Sequence, residues 1–201
     1  MGLFVDILRR SRHGRRFIYK VGVGRATDLV GRIEPYLKPG DQVLDIGCGN
    51  CNISEVLQSR GTAVVPVDVQ NGSFVETITP MIYDGRTLPF RDDQFDVGLL
   101  ITVLHHTPDP EKIVREAMRV CRRLIVVEDV YKNTPHKYFT YAMDSLVNLE
   151  FLGHPHANKD DAGWRSLFSR LGLRVLDAAY QRSFLVFSHA TYHLDRVNDR
   201  T

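Results

Sequence analysis

The sequence predicts an α/β fold: an open, mostly parallel sheet with helices on both faces and a reversed C-terminal hairpin strand. Three observations predict it. Val43, Leu44 and Ile46 form a short apolar run that enters the glycine-rich turn Gly47-Cys48-Gly49, after which Ile53, Val56 and Leu57 fall at helical spacing. Further apolar runs at 63–67, 96–101 and 124–127 alternate with helical stripes, the pattern of repeated βαβ units. The last two strand-like runs, 174–179 and 184–190, follow one another with a short connection and read as an antiparallel hairpin.

A chain of 201 residues suits one domain with a single sizeable core. Hydrophobic content of 43% and charged content of 25% belong to an ordinary globular protein, and a net charge of +2 selects no partner. No apolar run approaches the ~20 residues of a membrane span. Arg9 and Arg10 interrupt the N-terminus before any long apolar core, unlike a signal peptide. Three cysteines argue against a disulfide framework and fit a reducing, cytoplasmic compartment.

The turn after the first strand carries the chemistry. Gly47 and Gly49 let a ligand approach bare backbone, and the following helix N-terminus offers free N–H groups. The dinucleotide fingerprint G-x-G-x-x-G is incomplete, because Asn52 stands where its third glycine belongs. Asp45, two residues before the first glycine, repels a pyrophosphate and attracts an ammonium. S-adenosylmethionine carries an ammonium and a sulfonium and no phosphate. Asp45-Ile46-Gly47-Cys48-Gly49 resembles the first motif of the class I, Rossmann-like S-adenosylmethionine-dependent methyltransferases, of the type 11-like methyltransferase-domain group. That resemblance implies that Asp45, Gly47, Cys48, Gly49, Asn50 and Cys51 surround the methionine end of the cofactor. The usual pattern has glycine where this chain has Cys51, whose side chain is expected to point toward that end. Cys48-x-x-Cys51 is also a spacing used in redox and zinc sites. The cofactor turn already accounts for Cys48, and a closed zinc site wants four ligands, so no metal is expected.

The other elements follow in order. Leu3, Phe4, Ile7 and Leu8 have helical spacing, and residues 1–25 hold seven basic residues against one acid. The reading adopted is a solvated face on a helix that lids the site; the sharper alternative is contact with anionic lipid or nucleic acid. Ala26, Leu29, Val30, Ile33 and Leu37 make a helix that packs on the sheet, ended by a Pro39-Gly40 turn. In the second strand, Pro66 points to an edge or a bulge. Asp68, with its neighbour Val69, lies about 20 residues past the glycine turn, where an acid accepts ribose hydroxyls. Residues 70–80 read as a loop or short helix, and Met81-Ile82-Tyr83 as a short strand. The segment from Asp84 through Thr87-Leu88-Pro89-Phe90 to Asp96 also resembles the methyltransferase pattern. There Asp84 is implied to meet the adenine amino group, and the backbone N–H of Gly85 the ring; the bland alternative is that Asp84 only starts a turn.

The fourth strand, 96–101, leads into Thr102-Val103-Leu104-His105-His106, implied by the resemblance to lie beside the sulfonium. His105 or His106 is the candidate general base, since imidazole titrates near neutral pH. Asp109 and Pro110 open a helix with the stripe Ile113, Val114, Ala117, Met118 and Cys121. The fifth strand ends at Glu128 and Asp129. Residues 131–162, rich in Tyr and Phe and holding His154 and His156, read as an acceptor-binding wall or a packing helix. Trp164, Leu167, Phe168 and Leu171 form a short helix stopped by Gly172.

The expected organisation is one methyltransferase domain: an N-terminal helical lid (1–38), a cofactor core (40–130), an acceptor-side insertion (131–162) and a C-terminal helix and hairpin (163–190). The expected activity is methyl transfer from S-adenosylmethionine, leaving S-adenosylhomocysteine, to a small molecule or lipid-like metabolite. Two rivals are a lapsed cofactor-binding domain, motivated by Cys51, and a nucleic-acid methyltransferase guided by the basic N-terminus. The second lacks any Asn-Pro-Pro-Tyr-type motif, so nucleic acid is not the expected partner. No motif in the chain addresses oligomeric state.

Overall fold

The computed structural model describes residues 11–131, 159–183 and 187–197. The segment expected as the acceptor wall, including His154 and His156, and the apolar stripe at 3–8 lie outside them. Chain order begins with α1 (Arg12–Ile33), a 3-10 turn at Glu34–Tyr36, β1 (Gln42–Ile46), α2 (Asn52–Ser59), β2 (Ala63–Asp68), β3 (Met81–Ile82) and β4 (Phe95–Ile101). A 3-10 turn at Leu104–His106 follows, then α3 (Pro110–Val120), β5 (Cys121–Asp129), α4 (Asp161–Arg170), β6 (Leu173–Ser183) and β7 (Phe187–Arg196).

The seven strands form one sheet in the order β3-β2-β1-β4-β5-β7-β6. β1 runs parallel to both β2 and β4, so strand order reverses at β1 and leaves a crevice beyond the strand ends. β7 is antiparallel to β5 and to β6, which gives the reversed C-terminal pair. Alternation along β1 decides the layers. Val43 packs with Ala26, Leu29, Val30 and Ile33 of α1 on one face. Leu44 and Ile46 pack with Val114 and Ala117 of α3 and Trp164, Leu167 and Phe168 of α4 on the other.

Local signals act as expected at several joints. Asp109 caps α3 by accepting from Lys112 N–H, with Pro110 inside the first turn. The Asp41 N–H donates to Lys38 carbonyl at 3.1 Å across the Pro39-Gly40 turn, with Gly40 at φ +87°. Pro66 lies where β2 has β1 on one side only, because β3 reaches just Val67 and Asp68. Residues 70–80 form neither helix nor strand.

Two expectations need correction. Cys121 begins β5 rather than ending the preceding helix; its thiol packs where β4 lacks a side chain, and a Cβ on Gly98 would stand 2.8 Å from Cys121 Sγ. The last strand covers 187–196 rather than 184–190, because antiparallel pairing with β5 extends to Arg123↔Asp195. Half-buried polar residues such as Asp195 blurred that end.

Candidate cofactor and active site

The crevice beyond β1 and β4 is a cleft of about 780 Å³. The turn after β1 forms its floor. The N–H groups of Gly47 and Cys48 both donate to Val67 carbonyl, at 2.9 and 3.1 Å, and so anchor the turn on β2. Gly47 has φ +74°, and a Cβ there would stand 2.7 Å from Val103 Cγ2. Glycine is required twice over, by backbone and by space.

Asp68 ties the turn to the next strand. Its Oδ2 accepts from Gly49 N–H at 2.8 Å, and its Oδ1 from Val69 and Gln70 N–H at 2.7 and 3.3 Å. A carboxylate has about four acceptor sites, so capacity remains for a ligand hydroxyl. Asp68, Val69, Gly47, Cys48, Gly49 and Asn50 all line the cleft. Asp84 and Gly85 line it too. Asp84 accepts from Arg86 and Thr87 N–H, both at 2.8 Å, and these bonds, the Thr87 one first, hold its carboxyl below the usual range. It therefore starts a turn and faces the cleft as well.

Asp45 stands behind the floor, only 2% exposed, and accepts from Ser54 Oγ at 2.6 Å. Burial pushes its carboxyl up to about 6; the Ser54 bond opposes this and the nearby Asp68 charge adds to it. Cys51 caps α2 in the left-handed region, at φ 61°. Its side chain does not point into the cleft, against expectation. It is fully buried among Cys48, Val75, Ile78 and Tyr19, because the αL backbone turns it under the loop.

The histidine pair is split by the fold. Thr102, in the left-handed region at φ 55°, turns the chain out of β4, and its N–H donates to Val127 carbonyl at 2.7 Å. Buried Glu128 then accepts from Val103 and Leu104 N–H through Oε1, at 3.0 and 2.7 Å, and pairs with His105 Nδ1 through Oε2 at 2.5 Å. His105 is thus buried beneath the turn, whereas His106 and Thr102 line the cleft. The two imidazole rings lie 3.9 Å apart.

The wall opposite comes from α1 through Gly22, Arg25, Ala26 and Leu29. Close approach is needed there: a Cβ on Gly22 would stand 2.3 Å from Asn52 Oδ1 and 3.1 Å from Asn50 Nδ2. Tyr19 hydroxyl donates to Glu55 Oε1 at 2.7 Å, and Arg32 donates to His189 Nδ1 at 3.0 Å. His189 Nε2 in turn lies 2.9 Å from Asp129. These contacts fix α1 against α2 and β7. Sequence reasoning missed Gly22, Arg25 and Glu128 as site-building residues. Only Glu128, an acid at a strand C-terminus, left a signal that could have been followed.

Comparison with known proteins gives a match to part of the chain. Residues 44–124 match the family model described as "Methyltransferase domain". Within that segment the chain is similar to methyltransferase domains. The ubiquinone biosynthesis O-methyltransferase of Pseudomonas fluorescens (strain SBW25) is 28% identical over 94 residues, covering 41% of this chain and 40% of that protein. The chain thus spans well under half the length of such curated relatives. Among solved structures, an S-adenosylmethionine-dependent methyltransferase of Methanosarcina mazei superposes with TM-score 0.67 at 20% identity, covering 83% of this chain and 97% of that one. The magnesium protoporphyrin IX methyltransferase of Synechocystis PCC 6803, with bound S-adenosylhomocysteine, gives 0.64 at 18%, covering 88% and 84%.

S-adenosylmethionine is the cofactor of this domain class, and the cleft fits it. Gly47 and Gly49 both line the cleft, and Asp68 and Asp84 offer acceptors to hydroxyl and amino donors. Buried Asp45 places negative charge under the floor, which suits a cationic ligand. Among the described residues, no group of three or more His, Cys, Asp or Glu side chains could hold a metal ion. No helix among them is long and apolar enough to cross a membrane.

Proposed function

We propose that this protein transfers the methyl group of S-adenosylmethionine to a small or lipid-like acceptor. The observation that carries the reading is the Gly47 floor flanked by Asp68 and Asp84 in one cleft with His106. Bound there, the cofactor supplies an electrophilic methyl on a sulfonium. Asp68 takes a ribose hydroxyl through its remaining acceptor capacity, and Asp84 with the Gly85 N–H takes the adenine. The Gly47–Gly49 backbone and the Asp45 charge take the methionine end. His106 stands exposed in the cleft and accepts the acceptor's proton as the acceptor attacks. Most of the rate comes from holding two reactants aligned in a pocket that α1 shields from water.

Apolar Ala26, Leu29, Ile101, Val103 and Ile113 line the same cleft and favour an acceptor with an apolar body. The two relatives named above for their acceptors are both small-molecule methyltransferases by name. The exposed Arg15, Arg16 and Lys20 of α1 fit a solvated face better than a nucleic-acid track, since they lie outside the cleft lining. The buried Cys51 side chain leaves the floor open, which removes the motive for a lapsed site. The test is incubation with methyl-labelled S-adenosylmethionine and fractionated cell extract. Label in an organic-soluble small molecule supports the reading; label confined to RNA or DNA refutes it.

A further inference from the structure

The Cys48 and Cys51 sulfurs lie 3.5 Å apart, one in the cleft floor and one beneath it, and cofactor binding makes no use of their pairing. The Cys51 N–H donates to Cys48 carbonyl at 2.9 Å, closing a four-residue turn. Such a turn brings its end Cα atoms within about 7 Å, the span a disulfide bridges. We propose that Cys48 and Cys51 form an oxidative modification site, where a two-electron oxidant of the peroxide class closes a disulfide that weakens cofactor binding. The second half of this proposal rests on the cofactor reading given above; the first does not.

The chemistry balances. Either sulfur can hold the proton between them; the hydrogen bond from Cys48 favours the thiolate on Cys51, burial opposes it, and a bond from Ser73 adds to it, leaving the Cys51 thiol lowered. The Cys51 bond and burial push the Cys48 thiol up, so its thiolate is the minor form, reached when the proton passes to Cys51; Cys48 is nonetheless the sulfur that lines the cleft, where a small oxidant can meet it. Cys48 sulfur attacks peroxide, the O–O bond breaks, and a sulfenic acid and hydroxide form. Cys51 sulfur then attacks Cys48 sulfur; the S–S bond forms, the S–O bond breaks, and water leaves with the remaining proton. In sum, two thiols and one peroxide give one disulfide and two waters, the sulfurs losing the two electrons that the peroxide gains. The third cysteine, Cys121, is buried in β5, where burial pushes its thiol up and keeps it inert.

Closure must act on the floor. The sulfurs have to approach by about 1.5 Å to reach bonding distance. Cys51 is held from below by Val75, Ile78 and Tyr19, and the residues between the sulfurs are Gly49 and Asn50, both lining the cleft. The strain therefore falls on Gly49, whose N–H anchors Asp68 at 2.8 Å. Reduction by a dithiol reverses the change.

The experiment uses the full chain. Reduced protein is treated with hydrogen peroxide, thiols are counted under denaturing conditions, and peptides are mapped by mass spectrometry. S-adenosylhomocysteine binding is measured by calorimetry before oxidation, after it, and after dithiothreitol. The expected result is loss of two thiols, a Cys48–Cys51 link, free Cys121, and affinity weakened by about tenfold or more, as for one lost ligand hydrogen bond, then restored. A Cys51→Ser variant should lose the link, and its Cys48 should pass on to sulfinic acid. Persistence of both thiols under peroxide that oxidises glutathione, or a link that leaves affinity unchanged, overturns the proposal. Failure of the reduced protein to bind S-adenosylhomocysteine would instead strike the cofactor reading, since the thiol count is independent of it.

Discussion

Replacing Asp45 with Asn isolates the electrostatic cost built into the cleft floor. Asp45 is 2% exposed, and burial raises its carboxyl from 3.8 to about 6. Between those values the folded protein holds a proton that the unfolded chain has released. Stability contributed by this group is therefore full below about pH 4 and lost as pH rises through about pH 6. A rise of about two units corresponds to an upper value of roughly 3 kcal/mol. Asn keeps an oxygen to accept from Ser54 but cannot ionise. Its buried amide has a cost of its own, about 1–3 kcal/mol, and that cost does not depend on pH. The clean observable is thus the difference between the two proteins, followed by urea unfolding across the acid range. Relative to wild type, Asp45→Asn should gain about 2–3 kcal/mol between about pH 4 and pH 6.5. Cofactor affinity should fall at the same time, because the negative charge under Gly47 is gone. Two stability profiles that run parallel across that range would refute the buried-charge argument.

Other expectations follow from the same geometry. Asp68→Ala should weaken S-adenosylhomocysteine binding by roughly 1.5–3 kcal/mol, as for a hydrogen bond to a charged group, while circular dichroism stays unchanged. Unchanged affinity would return Asp68 to a purely structural role on Gly49 N–H. Gly22→Leu forces α1 away from Asn50 and Asn52, so cofactor dissociation by stopped flow should quicken about tenfold or more, one hydrogen bond's worth. Glu128→Ala strands the Val103 and Leu104 N–H groups and the His105 ring, and should lower stability by about 3 kcal/mol or more in urea. A loss under about 1 kcal/mol would mean that water replaces the carboxylate there.

Much of the cofactor half was legible because its signals are local. Val43 to Gly49 encodes a strand and a tight turn within seven residues, and Asp109-Pro110 encodes a helix start in two. The sites of Asp68 and Asp84 follow from position relative to strands, and both carboxylates line the cleft. What the sequence hid depends on contacts across long separations. Gly22 meets Asn52, and Arg32 meets His189 157 residues away; no periodicity announces either. His105 and His106 are adjacent and alike in sequence, and the bond to Glu128 holds His105 inward. Cys51 looked like a floor residue until its left-handed backbone put the thiol underneath. The end of β7 was blurred for a similar reason: pairing with β5, not local propensity, sets where it stops.

The charges of Asp45 and Asp68 beside the Gly47 turn suit S-adenosylmethionine rather than a dinucleotide. Calorimetry on the reduced protein, titrating S-adenosylhomocysteine and NAD in parallel, tests it most directly. One-to-one binding of S-adenosylhomocysteine is expected, with much weaker binding of NAD, whose pyrophosphate meets the Asp45 and Asp68 charges. Binding of NAD with none of S-adenosylhomocysteine would contradict it.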